Sequence, residues 1–109
     1  KTKREGQQML GLMSVVKAQT KPGFAEEYIR IFRDISIRDI PGIRRRSLTQ
    51  TDENNFMSVL EYDDIASLIA SQDTLLSFLD RLRHCLVELD EEGNVNEPVS
   101  GALIHDERN

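Results

Sequence analysis

The sequence predicts an α+β fold in which a four-stranded antiparallel sheet carries two helices. The apolar segment Phe56–Tyr62 runs directly into Asp63 and Asp64, which suit the start of a helix. Lys21–Phe24 ends an earlier apolar segment and opens an amphipathic one in the same way. The polar turn Asp52–Asn55 joins two strand-like segments. Together these features predict the order β-α-β-β-α-β of a ferredoxin-like sandwich.

The first half of the chain supplies a buried strand, a helix and a polar strand. Met9–Gln19 is apolar at nearly every position as far as Val16, which is typical of a strand buried on both faces. A helix is predicted from Phe24 to about Ile37, because apolar residues recur there at spacings of three and four. They are Phe24, Tyr28, Ile31, Phe32 and Ile35. Pro41 and Gly42 end this region, and Ile43–Thr51 reads as the polar strand.

The second half predicts a returning strand, a long helix and a last strand. Phe56–Tyr62 is the strand, and a helix with a leucine stripe runs from Ile65 to Leu89, with an interruption at Ser71–Thr74. Pro98–Ile104 forms the last strand, with proline at its first residue. The resulting organisation is a polar tail at 1–8, one domain at 9–106 and a short tail at 107–109.

Composition limits the classes of partner and site. The chain has 109 residues, 39% of them hydrophobic and 30% charged, which suits one folded domain. A net charge of −5 disfavours a nucleic acid or an anionic membrane as the main partner. Cys85 is the only cysteine, which excludes an internal disulfide framework and a cysteine-based zinc site. The single cysteine also makes a reducing, cytoplasmic location the expected one. No apolar run approaches the roughly 20 residues of a membrane helix.

One face of the predicted sheet needs a partner, since two helices cover only the other face. The uncovered apolar residues are, depending on the strand register, Met13, Val15 and Val59 or Leu12, Val16 and Leu60. An apolar face of this extent favours packing against a second copy of the chain through a two-fold axis. The alternative is that the polar strand Arg44–Gln50 and the N-terminal tail cover it.

Several segments resemble the antibiotic biosynthesis monooxygenase family of dimeric α+β barrels. They are Lys21–Phe24, Ile40–Ile43, the strand-to-helix stretch Phe56–Asp64, and Ile69–Ser71, which looks like the mid-helix break common in the family. The resemblance covers roughly residues 9 to 105. It implies a homodimer and cofactor-independent oxidation of aromatic or carbonyl compounds, and it implies no cofactor.

The sequence also departs from the family pattern. The family often has tryptophan at the position of Tyr62, and this chain contains no tryptophan. Similar haem-degrading proteins use an asparagine, a tryptophan and a helix histidine together, and the first strand here has no asparagine. Haem cleavage is therefore disfavoured, and fold resemblance alone does not assign a reaction.

The predicted ligand site lies between the sheet and the helices. Aromatic rings there would form an apolar wall, and the tyrosine hydroxyls would offer hydrogen bonds to a ligand. The arginines could pair with a ligand carboxylate. The residues expected to bind the ligand are Tyr28, Phe32, Arg44, Arg46, Tyr62 and Phe78. The alternative is that the aromatic residues are simply core and that the arginines protect a solvated edge strand.

No catalytic residue can be assigned from the sequence. Helical geometry places His84 opposite the leucine stripe, so it is expected to be exposed and non-catalytic. Cys85 reads as a small buried hydrophobic residue, and His105 as a polar residue near the terminus. No metal-ligand cluster, phosphate loop or catalytic triad is apparent from residue spacing. The function predicted first is a homodimer that binds a small, mainly hydrophobic molecule, with monooxygenase-like chemistry. The alternative is a non-catalytic ligand-binding or stress-response module.

Overall fold

The computed structural model describes residues 10–109, and it confirms the predicted ferredoxin-like α+β fold. The main elements are β1 (Gly11–Gln19), α1 (Ala25–Asp34), β2 (Ile43–Gln50), β3 (Asn55–Tyr62), α2 (Ile65–Leu82) and β4 (Glu97–Leu103). The strands form one antiparallel sheet in the order β2-β3-β1-β4. The predicted tail at 1–8 and the strand start at Met9 lie outside the described residues. The domain limits at 9–106 stay a prediction.

The register of β1 against β3 decides which face of the sheet meets the helices. Leu12 lies opposite Tyr62, and Ala18 lies opposite Phe56, and all four side chains are buried. The alternate residues Met13 and Val15 face the other side and are only half-buried. Of the two registers left open by the sequence, the structure therefore has Met13, Val15 and Val59 on the uncovered face.

Both predicted helices end earlier in the structure than the apolar stripes suggested. α1 stops at Asp34, and the Ser36 hydroxyl accepts a hydrogen bond from the Arg38 amide to start a separate 3-10 turn, Ile37–Asp39. α2 stops at Leu82, followed by a second 3-10 turn, Arg83–Cys85. Beyond that turn Leu86 bridges to Thr20 at the end of β1, so the backbone leaves the helix to pair with a strand.

The predicted interruption in the middle of α2 is wrong. The helix is continuous from Ile65 to Leu82, and Ser71 is fully buried within it. The Ser71 hydroxyl donates to the Leu68 carbonyl at 2.8 Å, so a polar side chain is satisfied without breaking the helix. The predicted cap is confirmed at Asp64, whose carboxylate accepts from the Ser67 amide at 2.8 Å.

In the part of the chain described here, no helix is both long enough and apolar enough to cross a lipid bilayer.

Candidate functional site

A cavity of about 100 Å³ lies between the sheet and the two helices. We call it the interlayer cavity. Its wall is mainly aliphatic and aromatic, and its polar groups belong to Tyr28, Arg46, Ser58 and Asn96. Ligand sites in proteins have this composition of apolar wall with a few polar groups. An engineered apolar cavity of about 150 Å³ accepts benzene, so the smaller interlayer cavity limits a ligand to about one ring at most.

Four of the six residues predicted to bind a ligand line this cavity, namely Tyr28, Phe32, Arg46 and Phe78. The other two lie elsewhere. Tyr62 is fully buried at the far end of the sheet, where it packs with Leu12 and Leu60. Arg44 is bound to Glu61, Asp63 and the Leu10 carbonyl on the outside of the sheet. The ligand-binding role of all six stays a prediction.

A β-bulge explains why Arg44 and Arg46 do not share a face as the sequence suggested. Ile43 pairs with Tyr62 and Arg45 pairs with the next residue back, Glu61, so Arg44 is an extra residue in its strand. Arg44 and Arg45 both reach the Glu61 carboxylate, at 3.6 and 3.8 Å. Arg46 alone is directed toward the helices.

Arg46 is fixed to the C-terminal end of α1. Its two terminal nitrogens donate to the carbonyls of Ile35 at 2.7 Å and Phe32 at 2.8 Å. The guanidinium also lies 3.6 Å from the centre of the Phe32 ring, within the range of a cation–π contact. Burial lowers the pKa of Arg46, an effect opposed by Tyr28, but a guanidinium stays charged at neutral pH. The cavity wall therefore carries a fixed positive charge, and the solvated-edge interpretation is wrong for this residue.

Tyr28 supplies a hydroxyl to the same cavity. Its ring is buried, 4.8 Å from the Phe56 ring centre and 6.2 Å from that of Phe32. Burial raises the pKa of the Tyr28 hydroxyl to about 12, with Arg46 acting against the rise and Cys85 adding to it. Tyr28 is therefore a neutral hydrogen-bond donor at physiological pH and not a phenolate base.

A second group of side chains was missed by the sequence interpretation. The Nε2 atom of His84 lies 2.5 Å from a carboxylate oxygen of Glu27 and 3.4 Å from the thiol sulfur of Cys85. His84 is exposed and Cys85 is buried, as predicted. His84 lies in the 3-10 turn after α2 and contacts α1, so its place on a helical face gave no indication of the contact with Glu27. Glu27 and His84 are 57 positions apart, so spacing gave no signal.

This second group is not arranged as a nucleophilic triad. In such a triad the imidazole joins thiol and carboxylate through its two different nitrogens. Here both contacts are made by Nε2 of His84. Burial and the Glu27 carboxylate also raise the pKa of the Cys85 thiol, with Arg30 and Lys21 partly opposing them, so the reactive thiolate is disfavoured. His105, the other histidine, contacts only Glu107 among the described residues.

The fold and the interlayer cavity define a ferredoxin-like α+β protein with a small cavity between its sheet and its helices. The sequence model of the family named antibiotic biosynthesis monooxygenase matches residues 11–75. The chain belongs to this family. No curated protein sequence matches the chain.

Solved structures with the same fold share little sequence with this chain. A mutant of SnoaB, a cofactor-independent oxygenase from Streptomyces nogalater, aligns with a TM-score of 0.69 at 14% identity, covering 89% of this chain and 96% of that one. A Nitrosomonas europaea protein, provisionally described as an antibiotic biosynthesis monooxygenase, gives 0.71 at 22% identity, with 87% and 91% covered. A dimeric ferredoxin-like protein from an uncultured marine organism gives 0.68 at 11% identity, with 98% of both chains covered. At these levels of sequence identity, the alignments show a shared fold only.

Proposed function

We propose that this protein is a homodimer that binds a small, mainly hydrophobic and weakly acidic molecule in the interlayer cavity. The observation that carries the proposal is the charge of the cavity wall. Arg46 places a cation there, and among the described residues no carboxylate or imidazole lines the same space. A cation in a poorly solvated site favours the anionic form of a bound acid. A phenol or an enol of about one ring fits both the size and the charge.

The uncovered sheet face supports the homodimer. Val59 and Val99 lie on either side of Val15 in the register, which gives a row of three valines across the face. We call it the valine row. Val99 is 71% exposed in the single chain. A second copy packed on this face would remove the valine row from water. A cytoplasmic location is part of the same proposal and is supported by the single cysteine.

Cofactor-independent oxygenation is the chemistry that fits this cavity and family. A carbon acid that has lost a proton donates electrons to oxygen, and a methylene group becomes a carbonyl with release of water, CH₂ + O₂ → C=O + H₂O. Arg46 would stabilise the anion, and the Tyr28 hydroxyl would donate a hydrogen bond to its oxygen. Because none of the described wall residues is a suitable base, the substrate would lose its proton to solvent and enter as the anion.

Ligand binding without catalysis is the second candidate, and the absence of a base among the described wall residues favours it. Oxygen uptake separates the two functions. Protein-dependent oxygen consumption with single-ring 1,3-diketones or hydroquinones would identify an oxygenase. Saturable binding of the same compounds without any uptake would identify a binding module.

Binding should lower the pKa of 4-nitrophenol by about one unit or more, because Arg46 stabilises the phenolate. The yellow phenolate reports its own protonation state, so a pH titration of absorbance with and without protein measures the shift. Arg46→Met should abolish the shift, and Tyr28→Phe should weaken binding about 5- to 10-fold, as loss of one hydrogen bond costs about 1 kcal/mol.

Arg45→Met is the matched control, since it removes an adjacent arginine from the opposite face of β2. It should leave the 4-nitrophenol shift unchanged. Circular dichroism of each variant verifies the fold, because Arg46 also holds the end of α1. A shift that persists in Arg46→Met, or no saturable binding to the wild-type protein, would contradict the proposed site.

A further inference from the structure

Three metal-ligating side chains converge at a place separate from the interlayer cavity wall. Glu27 comes from the first turns of α1, and His84 and Cys85 come from the 3-10 turn after α2. The carboxylate oxygen, the Nε2 atom and the thiol sulfur all lie within 4.8 Å of one another. Each of these atom types is a zinc ligand in proteins.

We propose that Glu27, His84 and Cys85 together bind one Zn²⁺ ion per chain. The mixture of oxygen, nitrogen and sulfur ligands suits a borderline-soft cation, whereas calcium and magnesium take oxygen ligands only. The bound ion would deprotonate the Cys85 thiol that coordinates it, so one carboxylate and one thiolate would balance the two charges of the ion. The single cysteine therefore does not exclude zinc, because histidine and glutamate complete the ligand set.

The spacing of the donor atoms is close to what zinc requires. Zinc bonds of about 2.0–2.3 Å in tetrahedral directions place neighbouring ligand atoms roughly 3.3–3.7 Å apart. The distance from the Cys85 sulfur to the His84 Nε2 atom is already 3.4 Å. Glu27 is closer to His84, at 2.5 Å, because a hydrogen bond joins them. The ion would replace that hydrogen bond, and Glu27 needs to move outward by only about 1 Å.

The backbone holds the two turn residues in place before any ion binds. The Cys85 carbonyl accepts from the Lys21 amide at 2.8 Å, and the Val87 amide donates to the Gln19 carbonyl at 2.8 Å. The His84 and Phe24 rings pack in a T-shaped arrangement at a centroid distance of 6.2 Å. These contacts fix two of the three ligands, which lowers the entropy lost on binding.

The site is open to solvent on one side only. The side chains of Glu27 and His84 are 41% and 52% exposed, whereas Cys85 is completely buried beneath them. An ion would enter between Glu27 and His84 and meet the sulfur last. Three protein ligands leave a fourth coordination position, which would face water or a small anionic molecule, as in open zinc sites.

The direct test is metal binding by the reduced, EDTA-treated protein. Titration with ZnCl₂ in competition with a chromophoric chelator should give one ion per chain. CoCl₂ in place of zinc should produce a thiolate-to-cobalt charge-transfer band, which reports the Cys85 sulfur directly. Removal of groups that merely support zinc ligands costs about 10- to 100-fold in affinity. Removing a ligand itself in His84→Gln or Glu27→Gln should therefore weaken zinc binding at least about 10-fold.

The chain provides a matched control in a second histidine–glutamate pair. His105 and Glu107 are joined at 2.8 Å and both are largely exposed, with no cysteine in contact. His105→Gln should leave zinc affinity and the cobalt band unchanged. Cys85→Ser should abolish the band. If a buried serine destabilises the fold, His84→Gln and Glu27→Gln still test the site, because both substitutions lie at its solvent-accessible side.

Either of two results would overturn the proposal. One is a cobalt complex of the wild-type protein without a thiolate band. The other is a zinc affinity that is unaffected by His84→Gln and by Glu27→Gln; its loss in His105→Gln would then place the ion at the C-terminal pair. Zinc bound at the proposed site should also raise the melting temperature, since it links α1 to the end of α2.

Discussion

Replacing Val15 with aspartate should convert the proposed homodimer into a folded monomer. Val15 lies at the centre of the valine row, between Val59 and Val99. It is only half-buried in the single chain, so aspartate there stays in contact with water and the sheet should form normally. In the dimer two such carboxylates, one from each copy, would be buried without partners, at a cost of at least about 3–5 kcal/mol. The dimer dissociation constant should rise at least roughly 10²-fold.

Native mass spectrometry and sedimentation equilibrium of wild type and Val15→Asp measure this change. Leu76→Asp is the matched control, because it places the same charge on an exposed leucine of α2. It should remain dimeric. A wild-type monomer, or a Val15→Asp variant that is still a dimer at low micromolar concentration, would refute an interface on the open sheet face. Dissociation by Leu76→Asp alone would move the interface to α2.

The choice between the two sheet faces could not be made from the sequence, for a physical reason. Side chains on both faces of β1 are apolar, namely Leu12 and Val16 on one face and Met13 and Val15 on the other. The sequence pattern therefore does not indicate which face of the strand meets the helices. The order of the helices and strands was predictable because turns and helix caps depend on residues close together in the sequence. The cap of α2 at Asp64 is an example. The face was not predictable, because it depends on which residues of distant β3 lie opposite β1.

The candidate site was also predicted only in part, because local patterns indicate some of its residues and contacts between distant segments determine the others. Periodicity placed Tyr28 and Phe32 on the inner face of α1, and both line the interlayer cavity. The bulge at Arg44 reversed the direction of that side chain, and strict alternation along β2 could not have indicated it. Contacts between distant segments, such as Glu27 with His84, leave no trace in local spacing.

Gly42→Ala should destabilise the protein far more than Gly23→Ala, although the two glycines have nearly the same backbone conformation. Their φ angles are +87° and +86°, in the left-handed region where a side chain costs about 1–2 kcal/mol. Around Gly23 a new Cβ would meet no atom within 4 Å. At Gly42 it would overlap the Ser67 carbonyl oxygen and lie 2.9 Å from the carbonyl carbon.

The extra cost at Gly42 arises from the backbone of α2, which cannot rotate away as a flexible side chain would. Overpacking of this kind costs about 1–3 kcal/mol, so Gly42→Ala should lose about 2–5 kcal/mol and Gly23→Ala only about 1–2 kcal/mol, the cost of the backbone conformation. Urea unfolding at one fixed protein concentration compares them, since a dimer's stability depends on concentration. Equal losses would mean that α2 does not approach the start of β2 this closely. Gly42 therefore determines how closely the start of β2 can approach the first turn of α2.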